Sequence, residues 1–199
     1  MFCDGMGRMT RLPLDGVTGW TGPTETPPAA SSRPVSPDDL KQAFRGHPGG
    51  VALITATGPD GHVALTATSV ASVSAEPPLL VFSVSALSSS TPTIRGAESV
   101  VVHLLSASEL HLARLGATSG VDRFADTSLW TTLSTGEPVF HGTTWLRSIV
   151  VDRLGAGSAT LIVAQPVESN VAAREGHPRD ALVYHDRSWH RLGEPSRIA

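Results

Sequence analysis

Two short segments carry most of the chemistry this sequence offers. The run "LTATSVASVS" holds Thr66, Thr68, Ser69, Ser72 and Ser74, and "SVSALSSSTPTI" holds Ser85, Ser88, Ser89, Ser90 and Thr91. From Val63 to Ile94 the only charged residue is Glu76, so solubility alone is a poor reason for so many hydroxyls. Period-2 alternation puts Leu65, Ala67 and Ser69 on one strand face and Thr66, Thr68 and Val70 on the other. Small side chains there would let a flat ring approach the backbone, whose N–H and C=O groups can pair with its polar edge. An edge strand of good β-formers with one solvated face accounts for the same residues. The second segment has two readings as well. Its hydroxyls cap a short helix, or they join the free N–H groups of the first turn around a phosphate. Two such segments flanking one strand suggest a single ligand, with a phosphate at one end and a heteroaromatic ring at the other.

Other chemistries find little support. No G-x-S-x-G nucleophile elbow occurs, and "GAGSAT" at Gly155 falls between two strand-like runs, where it reads as a turn rather than a dinucleotide fingerprint. The eight histidines, His47, His62, His103, His111, His141, His177, His185 and His190, form no H-x-H or H-x-x-x-H pair, and we expect no metal site. Cys3 is the only cysteine, which excludes an intramolecular disulfide and fits a reducing cytoplasm.

The elements that must position these segments are mostly strands. Residues 1–35 are rich in Gly, Pro, Ser and Thr without periodicity and read as a flexible extension. Ser36 as N-cap, Pro37 at the first helical position and Asp38 and Asp39 in the first turn predict a short helix ending at Gly46. Pro59-Asp60-Gly61 between two apolar runs predicts a hairpin. "LLVFSVS" reads as a central strand, "SSSTPTIRGAE" as a short helix and "SVVVHLLS" as a strand. "SASELHLARLGATSG" reads as a helix capped by Ser106 or Ser108 and stopped by Gly116. Residues 121–142 look irregular. Strands resume at "TTWLRSIVVDRLG", "SATLIVAQPVESN", "ALVYH" and "SWHRL". The order predicts a mainly β fold, a closed or nearly closed barrel with peripheral short helices, spanning residues 36–193 before a tail at 194–199.

At 199 residues the chain suits one domain with a single core, and with 40% hydrophobic but only 5% aromatic residues that core is built from Val, Leu, Ala and Ile. A net charge of -3 with scattered Lys and Arg offers no basic stripe for nucleic acid. No apolar run is long enough to cross a bilayer and no secretion signal is evident, so we expect neither nucleic acid nor membrane as partner.

The stretch "HPGGVALITATGPDGHVALTATSVASVSAEPPLLVFSVSALSSSTPTI", followed in order by "SVVVHLLS", "DRFAD", "TGEPVFHGTTWL" and "LVYHDRSWHRL", resembles the flavin reductase-like family with the FMN-binding split-barrel fold. The resemblance runs from about Pro37 to Leu192 and implies a homodimer in which NADH or NADPH reduces FMN, or FAD, for a partner flavin-dependent monooxygenase. By position it implies that Thr66, Ala67, Thr68, Ser69 and Val70 face the isoalloxazine and ribityl chain. It places Ser85, Ser88, Ser89 and Thr91 at the phosphate, Pro48, Gly50 and Val51 in the loop before the first long strand, and Tyr184 and His185 on the nicotinamide side. Two departures stand out: Gly157-Ser158-Ala159 where many members have Gly-Asp-His, and Leu87 where a basic residue is common, with Arg95 one turn further on. The absent Asp-His pair keeps a second reading open, a flavin-binding protein without efficient reductase activity.

Overall fold

A computed structural model describes residues 34–174 and 179–198. The expected extension at residues 1–35 falls almost wholly outside them, as do Cys3 and His177. From Pro37 onward the chain forms one compact unit. Helix α1 (Pro37–Arg45) carries Asp38 and Asp39 in its first turn and Arg45 in its last, matching the helix dipole. The strands are β1 (Gly49–Gly50), β2 (Ala52–Gly58), β3 (Gly61–Ala67), β4 (Ala71–Ala75), β5 (Pro78–Ser85) and β6 (Ser99–Leu104), with α2 (Thr91–Gly96) between β5 and β6. A 3-10 turn leads into α3 (Leu110–Ala117), followed by β7 (Trp130–Thr132), β8 (Pro138–Phe140), β9 (Thr144–Ala156), β10 (Ala159–Ser169), β11 (Ala181–His185) and β12 (Ser188–Leu192).

Seven strands form one antiparallel sheet in the order β3-β2-β6-β9-β10-β5-β4. Its two edge strands are consecutive in the chain, joined by residues 68–70 alone. Seven strands laid flat would separate the edges by roughly 29 Å at ~4.8 Å per step, whereas the linker reaches only about 14 Å from Ala67 to Ala71. The sheet must therefore curl until its edges nearly meet, which is the expected barrel.

Strand β2 is buried on both faces, and its alternation explains why the core is double rather than single. Ala52, Ile54 and Ala56 join Phe82, Val84, Val102 and Ile162 inside the curled sheet. Leu53 joins Leu112, Ala113 and Phe140 on the outer face, beneath α3.

Three local expectations need correction. The run "LTATSVASVS" is not one strand: β3 ends at Ala67 and β4 begins at Ala71, so the alternation fails beyond Ala67, and Val70 packs into the same cluster as Leu65 and Ala67. Gly116 does not stop α3 but lies within it, because the helix needs a residue without a side chain there. A Cβ at Gly116 would collide with Leu53 and with Thr66, whose backbone nitrogen would lie 3.1 Å away. Residues 121–142, expected to be irregular, contain the β7–β8 hairpin, with Trp130 opposite Phe140. Its strands are three residues long, too short for a periodic pattern to show.

Candidate functional site

A cleft of about 760 Å³ opens where the 68–70 linker meets α1, β1 and the β11–β12 hairpin. It is built from backbone pairing at close range. Gly49 pairs with Tyr184 and Gly50 with Val183, fixing the loop after α1 to the late hairpin. A Cβ at Gly49 would lie 3.0 Å from both Cβ and the carbonyl oxygen of Thr68, so glycine is what lets the two walls approach. The Asp186 N–H donates to the Arg45 carbonyl at 3.0 Å, tying the hairpin turn to the end of α1. Tyr184 stacks obliquely on Trp189 with centroids 4.7 Å apart, and His190 Nε2 lies 3.2 Å from the His185 carbonyl.

Of the residues singled out by sequence, Pro48, Gly50, Thr68, Ser69, Val70, Tyr184 and His185 come together around this cleft. Val51 is buried in the outer-face cluster instead, and Ala67 lies in the inner one. Thr66 turns away, its hydroxyl donating to the Ala113 carbonyl at 2.7 Å, where it docks α3.

The second hydroxyl segment does not line the cleft, and hydrogen bonds tie it to β3 and to the end of β5. Ser90 Oγ donates to the Ala64 carbonyl on β3 at 3.0 Å, and Thr91 Oγ1 donates to the Ser85 carbonyl at 2.6 Å. Ser85 Oγ accepts the Leu87 N–H at 3.2 Å, and Ser88 Oγ accepts the Ser90 N–H at 3.3 Å. Most of these hydroxyls therefore satisfy the chain's own backbone. Among the described residues, Thr68 and Ser89 have hydroxyls with no protein partner, and both are exposed.

The Gly157-Ser158 turn joins β9 to β10, with Gly157 in the left-handed region at φ 60°, which glycine tolerates. The Ser158 carbonyl accepts the Ala86 N–H at 2.9 Å, so this turn sits beside the end of β5 and not in the cleft. Arg95 is exposed on the last turn of α2, and its carbonyl accepts Arg153 Nε at 2.6 Å.

Among the described residues, the groups with shifted pKa lie elsewhere. Burial lowers the pKa of His103 to about 4, against weaker hydrogen bonds to backbone that raise it. Its Nδ1 lies 3.0 Å from the Leu53 carbonyl and its Nε2 accepts the Phe140 N–H at 3.2 Å, a pairing that suits the neutral ring. Glu137 is pushed up by desolvation, but hydrogen bonds from Ser99 and Thr135 and the charge of Arg147 outweigh this and hold its carboxyl below the usual range.

Sequence reading missed Arg45, His47, Asp186 and Arg187 on the cleft wall. One signal was available: "ALVYH" and "SWHRL" are separated by two residues, the commonest hairpin spacing, although Asp-Arg lacks the usual glycine.

With this geometry in place, comparison with known proteins defines the class. Residues 44–193 match the model of the flavin reductase like domain, and the chain belongs to that family. An NADH:FMN oxidoreductase from Rhodococcus qingshengii is 41% identical over 154 residues, covering 77% of this chain and 80% of that protein. The crystal structure of a flavin reductase domain protein from Arthrobacter sp. FB24 superposes with a TM-score of 0.72 at 30% identity, covering 78% of this chain and 95% of that one. The flavin reductase component of a bacterial two-component tryptophan halogenase superposes with a TM-score of 0.68 at 27% identity, covering 80% of this chain and 99% of that one.

Proposed function

We propose that the chain is an NADH-dependent FMN reductase whose cleft receives the isoalloxazine ring against residues 68–70 and the nicotinamide beside Tyr184 and His185. The observation that carries this reading is the convergence of those two segments on one cleft in a chain of this family. The donor set fits a flavin. Residues 68–70 leave the strand ladder, the Thr68 hydroxyl is unpaired, and Gly49 brings its wall close. At the other end, the exposed and unpaired Ser89 hydroxyl, with Ser85 and Ser88 beside it, would meet the phosphate. FAD would share the ring site.

Bound FMN supplies hydride acceptance from a reduced nicotinamide and delivery of reduced flavin. The protein's part is to align the rings and exclude competing geometry, and backbone N–H groups of residues 68–70 would hold the flavin ring and stabilise charge that builds on it. A paired carboxylate or a catalytic triad is not required for such work.

Strand β9 is exposed at every position from Val151 to Ala156, and alternate positions of a strand point to opposite faces. A segment open on both faces, carrying Leu154 at 60% exposure, supports a homodimer in which a second copy covers this hairpin. The likeness to the reductase component of a two-component halogenase supports delivery of reduced flavin to a separate flavin-dependent enzyme, here read as a monooxygenase, in the cytoplasm where NADH is available.

Following NADH absorbance with and without added FMN tests the reading. Flavin-dependent NADH consumption is expected. FMN binding without NADH consumption would favour a flavin carrier, the reading prompted by Ser158-Ala159 in the β9–β10 turn.

A further inference from the structure

The β11–β12 turn is unusual. His185 pairs with Ser188, leaving Asp186 and Arg187 as a two-residue loop, and both are left-handed, at φ 44° and 62°. A turn of this kind prefers Asn or Asp followed by Gly. Asp186 suits it, whereas Arg187 stands where glycine would relieve the backbone. Arginine is held there against the backbone preference of the turn, and the residue lines the cleft.

The local charge is also inverted. The chain holds 15 Lys and Arg against 18 Asp and Glu, yet the cleft wall carries Lys41, Arg45 and Arg187 against Asp186 alone. Lys41 is engaged with Asp38 at 3.1 Å. Among the described residues, the guanidinium groups of Arg45 and Arg187 have no partner, and the Asp186–Arg45 backbone bond brings their chain segments together. Two guanidinium groups on one rim match the geometry of phosphate oxygens, which they can bind bidentately.

We propose that Arg45 and Arg187 hold the diphosphate of the nicotinamide dinucleotide at the rim of the cleft, which makes them its affinity-determining residues. The inference rests on the reading above, which puts the nicotinamide at Tyr184 and His185 and the flavin phosphate at the separate Ser85 to Thr91 segment. Arg187 is two residues beyond His185 and lines the same cleft.

The test is equilibrium binding of NAD+, which cannot reduce the flavin, to the FMN-loaded protein and to its Arg187→Gly and Arg45→Gln variants. Each variant is expected to weaken NAD+ binding by about five- to tenfold, with the loss shrinking at high salt. The melting temperature of Arg187→Gly should equal or exceed that of the parent, because glycine relaxes the turn, so the affinity loss cannot be ascribed to misfolding. NAD+ affinity within twofold of the parent in both variants would overturn the proposal, as would a parent protein that does not bind NAD+. Weakened binding of FMN but not of riboflavin would also overturn it, by assigning the rim to the flavin phosphate. Failure of the underlying reading shows separately, as absence of FMN-dependent NADH consumption by the parent.

Discussion

Ser69 accepts the N–H of Ser83 on its hydroxyl oxygen at 3.0 Å and donates to the carbonyl of the same residue at 3.3 Å. Extending the β4–β5 register from Ala71 opposite Val81 by two residues puts Ser69 opposite Ser83. The side chain thus performs the pairing that the backbone of residue 69 would have made. That substitution ties the linker to β5 while the backbone of residues 68–70 leaves the ladder, and the same three residues border the cleft.

Ser69→Ala should therefore loosen the linker from β5. Loss of the two contacts leaves the half-buried Ser83 backbone without this partner, and a destabilisation of about 1 kcal/mol is expected, read as a lower denaturant midpoint with unchanged slope. A midpoint equal to the parent's would mean that the linker is held to β5 by other contacts.

Gly116→Ala tests the packing of α3. Helix propensity alone favours alanine by about 1 kcal/mol, but the new methyl group meets Leu53 and Thr66, and overpacking costs roughly 1–3 kcal/mol. The steric cost is expected to win, lowering stability by about 1 kcal/mol. A stabilised variant would contradict the α3 docking.

His103 makes stability depend on pH. Its folded pKa of about 4 lies below the ordinary 6.5, so the unfolded chain takes up the proton first as pH falls. The contribution is fully present above pH 6.5 and is lost down to about pH 4, by roughly 3 kcal/mol in all. Glu137, also lowered, adds a loss that begins only on further acidification through the carboxylate range. Denaturant midpoints measured between pH 7 and 5 should fall in the parent and stay flat in His103→Leu, which is less stable throughout. A flat parent profile would contradict a buried neutral imidazole.

Leu154→Asp addresses assembly. A charge on the doubly exposed β9 segment should shift a dimer to monomer in sedimentation while leaving the barrel folded. An unchanged dimer would move the interface elsewhere.

How far the sequence discloses all this differs between elements. The β2–β3 hairpin, β5 and α1 are legible because a turn signal, an apolar run and a cap each act locally. The outer-face role of Thr66 is not legible, since only the position of α3 turns that hydroxyl from a candidate ligand contact into a hydrogen bond to Ala113. The same holds for Gly116, which resembles a helix terminator until Leu53 is seen across from it. Hydroxyl-rich composition could not separate the free Thr68 and Ser89 from Ser90 and Thr91, which serve the fold.

Those two free hydroxyls supply the most direct test. FMN affinity should be measured by flavin fluorescence titration for the parent and for Thr68→Val combined with Ser89→Ala. Each removes one hydrogen bond worth about 1 kcal/mol or more, so the double variant should bind FMN at least about tenfold more weakly while unfolding at the parent's denaturant midpoint. Unchanged FMN affinity in a folded double variant would contradict a flavin held between the 68–70 linker and the Ser89 segment.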